Sequence, residues 1–132
     1  MKHRTAGPTR CVAQSNFQRL FIAMFIDSHC HLDFPDLAKD LDQLLLNMQQ
    51  NHVTHALCVS VDLPNFPRVR ALAEAHENLF ASVGVHPDYE DQMEPTAEQI
   101  AELANHPKVI AIGETGLDYF RLQGDLEWQR ER

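Results

Sequence analysis

Phe25-Ile26-Asp27-Ser28-His29-Cys30-His31-Leu32-Asp33 is the stretch on which the reading of this chain turns. An apolar run from Leu20 to Ile26 gives way here to polar residues, and two histidines stand two positions apart. Alternate side chains of a β-strand share a face, so His29 and His31 project together while Cys30 points away. Two imidazoles at one strand end can close on a divalent cation. The same pair also reads as two ordinary histidines, because His-x-His arises by chance. Its place at a strand-to-loop junction, where α/β enzymes carry their chemistry, favours the metal reading.

Further along, Val109-Ile110-Ala111-Ile112-Gly113-Glu114-Thr115-Gly116-Leu117-Asp118 repeats the arrangement, with a β-branched apolar run ending in a carboxylate. Between the two, strand and helix patterns alternate with little slack. Strands are expected over 25–32, 55–61, 79–85 and 109–114. A helix opens at Pro35-Asp36 with Leu37, Leu41, Leu44, Leu45 and Met48 on one face. Another covers 64–76, with Val69, Leu72 and Ala73 inward, and a third follows the capping box of Thr96 and Gln99 to about Asn105. Leu126 to Arg130 looks like the opening turns of a fourth. Strand centres near Ile26, Leu57, Val83 and Ala111 lie 31, 26 and 28 residues apart, a βα rhythm. That rhythm implies an α/β fold, either a doubly wound sheet or part of a β/α barrel. No Gly-rich phosphate loop follows the first strand, and the notable polar residues (His29, His31, Asp62, His86, Glu114) all fall at strand C-terminal ends. Both facts favour a barrel.

The chain has 132 residues, 44% of them hydrophobic, enough for one domain with its own core. No apolar stretch reaches the ~20 residues of a membrane span. Cys11, Cys30 and Cys58 have no metal-type spacing, and any disulfide scheme leaves one unpaired, which suits a reducing, cytoplasmic setting. Residues 1–23 hold Lys2, Arg4, Arg10 and Arg19 and no acid, so subtracting this +4 from the net −8 leaves −12 on the rest. Such an acidic body argues against nucleic-acid binding through a broad basic surface. It leaves room for a phosphate substrate held by metal ions, which invert the local sign of a site. Residues 1–23 form a basic segment that reads as a targeting peptide, an ordered extension, or translated leader ahead of a true start at Met24; the leader reading is favoured, and the segment is expected to be poorly ordered. The domain proper is expected over 24–132.

Two imidazoles and a carboxylate form a hard nitrogen and oxygen donor set suited to zinc, manganese or a related ion, whose bound water becomes a nucleophile near neutral pH. With the 25–33 stretch, Gly84-Val85-His86-Pro87 and Ile112-Gly113-Glu114-Thr115-Gly116-Leu117-Asp118-Tyr119, the chain resembles the N-terminal motifs of the TatD family of metal-dependent deoxyribonucleases, from Met24 to Arg132. The resemblance implies the N-terminal half, about four βα units, of a TIM-type β/α barrel related to the amidohydrolases. It implies that His29 and His31 bind one metal and that Glu114 bridges to a second, so two divalent ions (zinc, manganese or magnesium) are expected. Family members take two further histidines and a catalytic aspartate from later strands, positions that would lie beyond Arg132. The chain is therefore expected to be a fragment or truncated product, inactive alone, with open strand edges that favour self-association.

The function expected of the intact protein is hydrolysis of DNA phosphodiester bonds by metal-activated water. Another amidohydrolase-like hydrolase, or a non-catalytic metal-binding remnant, are the alternatives. His86 reads either as a substrate contact or as a hydrogen-bonded wall. Asp27 and Asp33 are expected to orient the loop or a histidine, and Asp118 to fix the loop behind Glu114. Arg121 could meet a phosphate while Tyr119 and Phe120 stack on a base, or all three could be ordinary loop residues. His52, His55, His76 and His106 are placed in helices or connections and given no role, and no membrane partner is expected.

Overall fold

The computed structural model describes residues 24–89 and 94–132; the basic segment 1–23, with the expectation attached to it, lies outside the described residues. The elements run β1 (Phe25–Cys30), α1 (Pro35–Ala38), α2 (Leu41–Gln50), β2 (Val53–Cys58), α3 (Phe66–Ala75), β3 (Leu79–Val83), α4 (Ala97–Ala104), β4 (Val109–Ile112) and α5 (Glu127–Glu131). The four strands form one sheet in the order β1-β2-β3-β4, every pair parallel. Parallel neighbours need a crossover, and helices supply each one.

Alternation along the strands sorts the side chains. Ala56, Cys58, Leu79, Ala81, Val83 and Val109 face the helices and share one core with Phe66, Val69 and Ala73 of α3. Leu41, Leu44, Leu45 and Met48 of α2, with Ile100, Leu103 and Ala104 of α4, close that core from the same side. Each fully buried large side chain, such as Phe66, Val69 or Leu79, contributes about 1.5–3 kcal/mol. The opposite face of the sheet carries no helix layer among the described residues: Ile110 is 59% and Ile112 62% exposed, and His55 of β2 stacks on Phe80 there at 6.2 Å. His55 thus belongs to β2, within the strand expected over 55–61, and not to a connection.

The strands end earlier than their apolar runs suggest, because the backbone leaves the ladder for local turns. The His31 carbonyl accepts from Phe34 N at 3.0 Å, closing a turn directly after β1. Pro87 has no N–H to offer β3 any continuation. The helix expected from Pro35 is split: Asp40 N donates to the Leu37 carbonyl at 3.1 Å and Asp40 leaves helical geometry before α2 starts. Asp62, grouped by sequence with the strand-end site residues, instead accepts from Asn65 N at 2.6 Å and Asn65 Nδ2 at 2.8 Å, shaping the entry to α3. Thr96 caps α4 through the full reciprocal capping box with Gln99. Lys108 Nζ donates to the carbonyls of His76, Glu77 and Leu79 at 2.7, 3.0 and 3.0 Å, tying the N-terminal end of β4 to that of β3.

Candidate metal centre

The C-terminal ends of β1, β3 and β4 meet over one carboxylate. Glu114 Oε2 lies 3.4 Å from His29 Nε2 and 3.9 Å from His31 Nε2, while its Oε1 lies 3.3 Å from His86 Nε2. The sheet accounts for this convergence. One extra residue in β1 between the Asp27↔Ala56 and Cys30↔Cys58 pairs forms a bulge at Ser28–His29, a device that re-aims side chains at strand ends. Glu114 is held from behind: its N–H donates to the Ser60 carbonyl at 3.0 Å, Gly113 N to the Val83 carbonyl at 2.9 Å, and Ser82 Oγ to the Gly113 carbonyl at 2.6 Å.

The outer ring nitrogens are fixed too. His31 Nδ1 donates to the Val59 carbonyl at 2.9 Å, which leaves the Nε2 lone pair directed at the centre, and Phe34 stacks on the ring at 4.7 Å. His86 Nδ1 donates to Asp88 Oδ1 at 2.5 Å, the carboxylate–histidine pattern that orients imidazoles around metals. His29 is held through its backbone, its N–H donating to Asp27 Oδ1 at 3.0 Å. Cys30 faces away between the two histidines. A hydrogen bond from Cys58 draws its thiol below the ordinary value, while that contact and burial raise the Cys58 thiol.

Asp118 lies beside this centre. Its Oδ1 accepts from the N–H groups of Phe120 and Arg121, each at 2.9 Å, and its Oδ2 from Arg121 Nη1 at 2.8 Å. The Arg121 N–H bond and the guanidinium hold its carboxyl below the usual carboxylate range. Buried Gln129 of α5 grips the Asp118 backbone on both sides, accepting from its N–H at 2.8 Å and donating to its carbonyl at 3.1 Å. Arg121 Nη1 is 3.5 Å from His86 Nε2, so the guanidinium reaches the rim of the centre. Asp33 lies off to one side, buried, with burial raising its carboxyl above the usual range.

His29, His31 and Glu114 thus offer donor atoms within 4.8 Å of one another, two nitrogens and one oxygen, a set whose chemistry fits zinc or manganese. His86, Asp88 and Asp118 form a second such group, but Arg121 already balances it, with NH groups 2.8 Å from Asp118 and 4.0 Å from Asp88. Sequence reading missed Asp88. Its signal was the His-Pro-Asp spacing, which returns a carboxylate to the imidazole two residues back. Tyr119 and Phe120 stand out from the site, Phe120 at 95% exposure.

Known proteins resemble this chain in sequence and in fold. The family model described as TatD related DNase matches residues 26–132. The chain is 40% identical over 114 residues to an uncharacterized metal-dependent hydrolase, YjjV, of Escherichia coli, covering 84% of this chain and 43% of that one. It is 33% identical over 109 residues to the uncharacterized metal-dependent hydrolase YabD of Bacillus subtilis, covering 82% and 43%. The crystal structure of Escherichia coli YjjV, described as a TatD homolog, superposes with a TM-score of 0.68 at 34% identity, covering 81% of this chain and 42% of that one. A TatD family hydrolase of Entamoeba histolytica superposes at 0.69 and 30% identity, covering 82% and 42%. The four βα units therefore correspond to the N-terminal part of a longer β/α barrel, and the chain spans a little over two fifths of these relatives.

Proposed function

The chain belongs to the family of TatD-related DNases, and from that premise we propose that it carries the first metal-binding part of a hydrolase that cleaves DNA phosphodiester bonds. The observation that carries the reading is the Glu114 carboxylate, with His29 and His31 on one oxygen and His86 on the other. His29, His31 and Glu114 would hold one divalent ion. Glu114, through its second oxygen beside His86, would also contribute to a second ion, whose remaining ligands would come from outside these residues. A divalent cation there supplies Lewis acidity and makes water a competent nucleophile near neutral pH. Zinc, manganese and magnesium are the ions considered.

The chain's own residues do the rest. Val59 and Asp88 hold the rings of His31 and His86 so that each presents Nε2 to the centre without reorganisation. Arg121, kept charged beside Asp118, would meet a phosphate oxygen at the rim, and exposed Tyr119 and Phe120 would offer faces on which a base could stack. Unpaired cysteines favour a cytoplasmic setting. No described helix is long and apolar enough to cross a membrane.

Three protein donors suffice for one ion but not for two, which supports a second reading, a metal-binding segment with no turnover of its own. Hydrolysis of single-stranded DNA, a phosphodiester model compound and a cyclic amide, each with manganese, separates the readings. The nuclease reading expects divalent-dependent cleavage of the two phosphodiesters by the native polypeptide containing this segment, abolished by His31→Ala. Turnover of the amide alone moves the assignment to another amidohydrolase-like reaction, and no turnover of any substrate supports the non-catalytic reading.

A further inference from the structure

Cys30 and Cys58 are register partners on β1 and β2, with Sγ atoms 3.9 Å apart. Adjacent strands run about 4.8 Å apart, inside the Cα separation that a disulfide spans, about 4.4–6.8 Å. Both side chains lie on the helix-facing side of the sheet, so their Cβ vectors are directed alike. Only a modest sulfur shift separates this contact from a bond. Neither thiol has a part in the proposed hydrolysis. Yet Cys30 lies between His29 and His31, and the histidine-bearing end of β1 is tied to β2 by non-covalent links, among them His31 Nδ1 to the Val59 carbonyl, Val59 N to the Cys30 carbonyl at 2.8 Å and Cys30 Sγ to the Leu57 carbonyl at 3.3 Å.

We propose that Cys30 and Cys58 form an oxidisable dithiol, which hydrogen peroxide converts to a disulfide that locks the histidine-bearing end of β1 onto β2. Exposure sets the order of events: Cys30 is partly exposed, whereas Cys58 is fully buried and out of reach of solvent. The Cys30 thiolate attacks one peroxide oxygen, an S–O bond forms, the O–O bond breaks, and the departing hydroxide takes up the thiol proton as water. The Cys58 sulfur then attacks the Cys30 sulfenic sulfur. The S–S bond forms, the S–O bond breaks, and a second water leaves with the Cys58 proton. Peroxide is reduced by two electrons and the two thiols are oxidised by two. In a reducing compartment the link would be transient, as a sensing disulfide must be.

The test is peptide mapping of the full chain, Cys11 included, after brief peroxide treatment and alkylation in denaturant, paired with amide hydrogen exchange over residues 28–32. Neither readout involves metal or hydrolysis, so failure here is distinct from failure of the hydrolase reading. The expected result is a Cys30–Cys58 linked peptide, reversed by a dithiol reductant, with exchange over 28–32 slowed by at least about fivefold in the oxidised chain. Cys58→Ser should leave Cys30 trapped as a sulfenic acid, without the linked peptide or the slowing. Should that variant not fold, Cys30→Ser must show the same two losses. Oxygen added to wild-type Cys30 with no linked peptide, or a link through Cys11, overturns the proposal. A Cys30–Cys58 link with unchanged exchange overturns the lock.

Discussion

Gly84 and Gly113 meet back to back beyond the ends of β3 and β4, so closely that a Cβ on Gly84 would lie 2.6 Å from the Gly113 carbonyl carbon and 2.8 Å from its oxygen. Those atoms are backbone, and they lead directly into Glu114. The close approach therefore sets where the shared carboxylate stands. Gly84→Ala must push the two segments apart, at a cost of about 1–3 kcal/mol. Urea unfolding followed by circular dichroism checks this: the midpoint falls in the variant, and an unchanged midpoint would mean that the approach is not a constraint.

Asp33 is buried with Oδ1 unpartnered, and burial raises its pKa. A carboxyl whose folded pKa exceeds its unfolded value of about 3.9 binds more protons when folded, so stability is greatest below the unfolded value and is lost as pH rises through the folded one. Asp33→Asn removes the titration. The variant should match the parent at low pH and exceed it by on the order of 1 kcal/mol at pH 7. Parallel pH–stability curves for the two proteins would contradict this.

Ile110 and Ile112 lie exposed on the open face of the sheet, and among the described residues β1 and β4 are its unpaired edges. Apolar surface beside free ladder groups favours association. Sedimentation should show concentration-dependent assembly of this chain, and Ile112→Lys should shift it toward monomer. A parent that stays monomeric up to about 100 μM would show that the open face is tolerated.

Much of this organisation was legible in the residues themselves. Apolar runs located the strands, and the His29–His31 spacing with the carboxylate after Val109–Ile112 picked out residues that the fold brings together at the candidate centre, because strand periodicity fixes which side chains share a face. The Thr96–Gln99 capping box marked the start of α4 to the residue. What escaped depended on local backbone geometry. Asp62 resembles the other strand-end polar residues in sequence, but it accepts bonds from Asn65 and belongs to a helix entry. The break at Asp40 follows from a tight turn that no apolar pattern records. Asp88 was passed over because its partner lies two residues back across a proline, and only the folded turn brings its oxygen to His86 Nδ1.

Asp118 ties Arg121 to the loop after β4, and its carboxyl is held below the usual range, first by the Arg121 N–H. A depressed carboxyl contributes stability above its unfolded pKa and loses it as pH falls through the lower folded value. Asp118→Ala should therefore remove part of the acid sensitivity below about pH 4. It should also increase amide exchange over 118–121 at neutral pH. Unaltered exchange would mean that Gln129 alone holds the loop.

The central claim is that His29, His31 and Glu114 assemble a divalent-cation site within this segment. Manganese titration of the chain, read by water-proton relaxation, tests it most directly. The account predicts saturable binding that weakens by more than about tenfold in both His31→Ala and Glu114→Gln, with each variant retaining the circular dichroism of the parent. Binding that is absent in the folded parent, or identical in parent and variants, would contradict it.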